Sequence, residues 1–233
     1  TRGINCCPTG TGNVITANRI VLGPSNSSPG TYAGIDMLSG GPEISNNVII
    51  AGEATGAGTQ SAAIRQLGAT ATPTIRNNTL IAGSAGTLET RVVFISGSPP
   101  SWIMENNLIL SNGGATTSCM FETAAASTPS GFANNNLDNC APLYLDNGGT
   151  NIASLTAAMA DSPCGSATLT LAACGTLNEA SALDTSTYNL TTSSPCAVTQ
   201  GGLELSSVTT DFNGNARTAP YSIGAFEFDD ACQ

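Results

Sequence analysis

The chain has 233 residues, of which only 9% are charged, with six Arg against sixteen acids, no Lys, no His and a formal charge of −10. That length suits one domain with a well-buried core, and the plentiful, periodic apolar residues exclude a disordered chain. No apolar run approaches the length of a membrane span, and the scattered Arg on a net negative surface that repels nucleic acid, anionic polysaccharide and anionic lipid argue against these as partners, nucleic acid above all.

The first twelve or so residues are rich in Gly, Thr and Cys and show neither an amphipathic capping helix nor a signal-like segment, so a mature, processed form is expected. A short phrase then recurs: Ile15-Thr16-Ala17-Asn18-Arg19-Ile20, Ile44-Ser45-Asn46-Asn47-Val48-Ile49, Ile75-Arg76-Asn77-Asn78-Thr79-Leu80, Met104-Glu105-Asn106-Asn107-Leu108-Ile109 and Phe132-Ala133-Asn134-Asn135-Asn136-Leu137. The first residues of the copies are 29, 31, 29 and 28 positions apart, the spacing of a solenoid whose coils bury their apolar faces only by stacking. Asn18, Asn47, Asn78, Asn107 and Asn135 would form a structural ladder, each Asn tolerating a left-handed backbone and bonding its amide to the coils above and below. Gly23, Gly52 and Gly83 follow at one fixed distance, with Asn112 and Cys140 in the equivalent places.

A second phrase keeps step with the first, through Ile35, Ile64, Val93 and Met120, at spacings of 29, 29 and 27. Each coil is therefore predicted to hold three short strands: one around this phrase, one ending at the Asn, and a third such as Val48-Ile49-Ile50. Over residues 13–145 the pattern resembles the right-handed parallel β-helix proteins of the pectin-lyase-like superfamily. The resemblance implies an all-β fold, a right-handed parallel β-helix of about 29-residue coils, and is nearly silent on activity.

After residue 145 the chain changes character. Residues 151–160 are predicted to form one short helix capped by Asn151, and residues 161–210 are Thr/Ser-rich. Ser194-Pro195-Cys196, Asp211-Phe212-Asn213-Gly214-Asn215-Ala216-Arg217 and Ile223-Gly224-Ala225-Phe226-Glu227 then occur in order. This ending resembles the choice-of-anchor segment of bacterial secreted β-helix proteins, which closes the solenoid. It implies a division into coils at 1–145 and a C-terminal coil or cap at 146–233 of the same domain, with any anchoring tail missing or removed.

Eight cysteines are present: Cys6, Cys7, Cys119, Cys140, Cys164, Cys174, Cys196 and Cys232. The even number and the absence of His favour disulfides in an oxidising compartment over zinc, with buried free thiols as the rival reading. Nearness in sequence suggests Cys119 with Cys140 and Cys164 with Cys174, whereas adjacent Cys6 and Cys7 do not pair easily with each other.

Stacking places Asp36 beside Arg65 and Arg76 beside Glu105 on coils about 4.8 Å apart, either as a charged groove or, the favoured reading, as ladder ion pairs. Asp36, Glu43, Glu53, Glu89, Glu105 and Glu122 could supply a two-carboxylate site but sit at differing places in their coils. Nucleophilic machinery that needs His is excluded. The turns at Asp211-Asn213-Asn215 and Asp146-Asn147 evoke calcium loops but read better as Asx turns, so no metal and no cofactor are expected. The expected function is non-enzymatic: a secreted or cell-surface structural or adhesive protein, assembling end to end into a homo-oligomer or filament, with a possible glycan or cell-surface partner. The alternative is a carbohydrate-active or glycan-binding β-helix acting on neutral polysaccharide.

Overall fold

The structure is a computed structural model and describes residues 2–6, 11–24, 30–53, 59–68, 70, 72–83, 90–97, 101–112, 117–159 and 170–229. Each repeated phrase folds as strands. The chain runs β1 (Arg2–Cys6), β2 (Thr11–Thr16), β3 (Arg19–Val21), β4 (Gly30–Met37), β5 (Gly41–Ser45), β6 (Val48–Ala51), β7 (Thr59–Gln66), β8 (Thr74–Arg76) and β9 (Thr79–Ala82). It continues through β10 (Thr90–Ile95), β11 (Ile103–Glu105), β12 (Leu108–Ser111), β13 (Thr117–Glu122), β14 (Gly131–Ala133), β15 (Asn136–Asp138), β16 (Tyr144–Asp146) and β17 (Thr150–Ile152). Every third strand stacks on the next in parallel, giving one sheet in the order β1-β4-β7-β10-β13-β16, to which β17 adds antiparallel, and two five-stranded sheets, β2 to β14 and β3 to β15. The architecture is a parallel β-solenoid with coils about 29 residues apart, followed by a C-terminal region whose single α-helix among the described residues is α1 (Cys196–Thr199).

Register places like residues over one another. Ile15, Ile44, Ile75, Met104 and Phe132 stack on one wall of the interior, and Ile20, Ile49, Leu80, Ile109 and Leu137 on the next. Ile35, Ile64, Val93, Met120 and Tyr144 make the third, and all three columns meet in one core. A fully buried Ile is worth about 2 kcal/mol, so these columns supply the main cohesion.

The alternation of side chains along the long sheet breaks at a fixed place. Pairing skips the position of Gly3, Gly34, Ala63, Val92 and Cys119, and there two successive side chains, such as Val92 and Val93, both turn into the core. At Gly34 the space is already taken, because a Cβ there would lie 2.2 Å from Ile49 Cγ2 and 2.7 Å from the Ala63 carbonyl oxygen.

The expected helix over residues 151–160 does not form in the described part, 151–159. Asn147 and Gly148, with φ of 54° and 70°, instead make a hairpin turn that pairs β16 antiparallel with β17. The Asn-Gly signal outweighs a weak helical pattern because both residues accept a left-handed backbone.

The C-terminal region covers more than an end. Leu171 and Cys174 enter the core, and Leu177 bonds Asn135 and Leu137, closing the solenoid beyond β15. The chain then runs back along the side, where Leu183, Tyr188, Phe212, Ala225 and Phe226 cover the outward side chains of Val48, Ile50 and Ile81. A strand buried on both faces reads as a continuous apolar run, which accounts for Val48-Ile49-Ile50-Ala51.

The opposite end is more open. β1, β2 and β3 each pair on one side only among the described residues, and Ile15 and Ile20 are 9% exposed where Ile44 and Ile49 are fully buried.

Candidate functional site

The Asn doublets divide two tasks that the sequence assigned to one residue. The left-handed backbone belongs to the first member, with φ of 53° at Asn46, 50° at Asn77, 55° at Asn106 and 50° at Asn134, and 54° at Ala17 in the first copy. The second member faces inward. Asn47 Oδ1 accepts from the Asn18 backbone N–H at 3.0 Å, Asn78 Oδ1 from Asn47 at 2.9 Å, Asn107 Oδ1 from Asn78 at 3.0 Å and Asn135 Oδ1 from Asn107 at 2.9 Å. Each Nδ2 in turn donates to carbonyls, as Asn78 does to Ile44 and Arg76, so buried amides are satisfied in a chain.

The first members point outward and hold the C-terminal region. Asn46 Nδ2 donates to the Thr210 carbonyl at 2.6 Å, Asn106 exchanges two 2.8 Å bonds with the Leu203 backbone, and Asn134 donates to the Gly201 carbonyl at 2.7 Å. Where no such bond is made, the first copy carries Ala17, which is exposed. This outward row was not foreseen; its only sequence signal was that Asn, rather than Gly, fills the left-handed position.

The arginines make their contacts within the molecule. Arg65 grips Asp36 through two bonds of 2.8 and 2.7 Å, and Arg2 adds a third contact of 2.6 Å from the coil below. Arg91 lies over the rings of Phe121 and Phe94, which continue the Asp36–Arg65 column. Arg76 pairs with Glu105 at 2.8 Å, and Arg19 stacks on Tyr188 and donates to the Ser186 carbonyl. Arg217 bonds Glu227 at 2.8 Å, with both side chains nearly fully buried. Burial lowers the Arg217 pKa and pushes Glu227 up to about 7 despite the partner, so desolvation outweighs the attraction in this pair.

The Asp211 turn is an Asx turn. Its Oδ1 accepts from the Asn213 and Asn215 N–H groups and its Oδ2 from the Glu227 N–H and the Asn215 amide, which uses the oxygens a cation would need.

Of the acids named from sequence, Glu43 and Glu105 lie on the outward face of the β2 to β14 sheet, Glu53 is exposed beyond β6, and Glu89 lies outside the described residues. Asp36 is buried in its ion pairs. Glu122 gains a carboxyl neighbour, Asp146 on β16, which sequence reasoning had placed only in a turn. Both are buried, at 1% and 0% exposure, and the Thr128 hydroxyl donates to Glu122 at 3.2 Å. Burial first, and then Asp146, push the Glu122 carboxyl up to about 9. A shallow groove passes Leu22, Gly52, Gly83 and Asn112, with Glu53 on its wall and no aromatic ring. No group of three or more metal-ligating side chains occurs among the described residues.

Cys119 and Cys140 are joined, as their spacing suggested, closing a loop of 21 residues. Such a link is worth about 3 kcal/mol. Cys6, Cys174 and Cys196 are also disulfide-bonded, while Cys7, Cys164 and Cys232 lie outside the described residues.

No family model, no curated protein and no solved structure matches the chain.

Proposed function

We propose that this chain is a non-enzymatic structural or adhesive protein displayed outside the cell, a right-handed β-helix of the pectin-lyase-like kind with a choice-of-anchor-type ending. The observation that carries this reading is that all six arginines make contacts within the molecule, four with carboxylates and two over aromatic rings, so none stands unpartnered in an open cleft. The Glu122–Asp146 pair is closed to a substrate by its burial. The disulfide supports an oxidising compartment.

Self-association completes the proposal. Among the described residues β1, β2 and β3 each have one edge without a paired strand, and a second copy is the partner we propose for them, because unpaired strand edges invite pairing. Residues 171–177 cover the other end, so contact of like ends in a closed pair is favoured over a growing filament. Light scattering after size exclusion, with electron microscopy of the same fractions, tests this. A concentration-dependent pair is expected. A monomer at every concentration would remove the assembly, and cleavage of a neutral glycan would remove the non-enzymatic reading.

A further inference from the structure

We propose that Glu122 and Asp146 share one proton, and that this proton latches the closing hairpin β16–β17 onto β13. Phe121 pairs with Leu145 in register, which sets Glu122 and Asp146 side by side at the ends of neighbouring strands. Two buried acids in contact bond each other only if one of them keeps its proton. The groups acting on Glu122 are Asp146 and Tyr144 on β16 and Thr128 from the turn beyond β13, with no cation among them, and Ile95 is its neighbour on β10. The hairpin turn is tied to the same residue, since the Gly148 N–H donates to the Glu122 carbonyl at 2.8 Å.

In the latched state one proton lies between two carboxyls. On opening, both reach water, and the proton passes to solvent as two carboxylates form. The latched form thus holds one proton more than the open form between the ordinary Glu pKa and the raised one. The latch is strongest in acid and weakens as pH rises.

The test is amide hydrogen exchange over Tyr144–Ile152 in the full chain, wild type against Glu122→Gln, from about pH 5 to about pH 10. Gln donates to Asp146 without titrating. The opening constant of the wild type relative to the variant is expected to rise about tenfold per pH unit up to about pH 9, then level off. A ratio that stays constant with pH overturns the proposal. Isotope-edited infrared spectroscopy of the wild type decides the matter even if the variant fails to fold. A protonated carboxyl on either residue of the pair at neutral pH supports the latch, and ionisation of both refutes it.

Discussion

Removing Arg217 tests whether the C-terminal region is locked to the solenoid by one side chain. Its guanidinium donates to the carbonyls of Thr210, Ser222 and Gly224, to Asn46 Oδ1 at 3.0 Å and to Glu227 Oε2 at 2.8 Å. Arg217→Met keeps much of the apolar stem but leaves Glu227, whose side chain is 2% exposed, without its counter-charge. Breaking a buried pair from one side costs about 3–5 kcal/mol, a large part of the roughly 5–15 kcal/mol that holds a domain together. Urea unfolding followed by circular dichroism should show that loss, and limited proteolysis should cut within 200–229 first. Adding Glu227→Gln should return about 1–2 kcal/mol, since a neutral amide is cheaper to bury than a lone carboxylate. The pH dependence carries a sign. Because the folded pKa of Glu227 is raised to about 7, its contribution to stability falls as pH rises from the ordinary Glu value and is flat above about 7. Without Arg217 that decline should extend to higher pH. A single variant within about 1 kcal/mol of wild type, or a double variant weaker than the single one, would refute the reasoning.

Asn78→Ala strips the Asn47 N–H of its buried acceptor and should cost about 3 kcal/mol in urea unfolding; a loss under about 1 kcal/mol would argue against the ladder. Gly34→Ala drives a Cβ against Ile49 and should cost about 1–3 kcal/mol, read as a lowered thermal midpoint, and an unchanged midpoint would mean that the packing around Gly34 adapts freely. Ala17→Gly relieves a left-handed alanine at an exposed site and should stabilise by about 1 kcal/mol, whereas destabilisation would mean that the turn does not require that backbone.

The solenoid was legible because its rule is local and repeated. Ile44, Ile75 and Met104 recur at the coil spacing, and stacking in register follows once a 29-residue period exists. The neighbours Asp36 and Arg65 could be named for the same reason, since strands in parallel register carry equal offsets onto one another. The pairing of Cys119 with Cys140 agrees with their nearness in sequence, which by itself does not fix connectivity. Contacts off the period left no such trace. Asn46 meets Arg217 across 171 residues, and the hairpin that brings Asp146 to Glu122 takes up the start of the segment predicted as a helix. Those contacts depend on where a non-repeating segment folds back, which is decided by the burial of Val48, Ile50 and Ile81 under Phe226 and its neighbours. Periodic sequence therefore determined the coil and its ladder. Only the tertiary structure decided which charges are buried, which Asn faces outward and where two acids share a place.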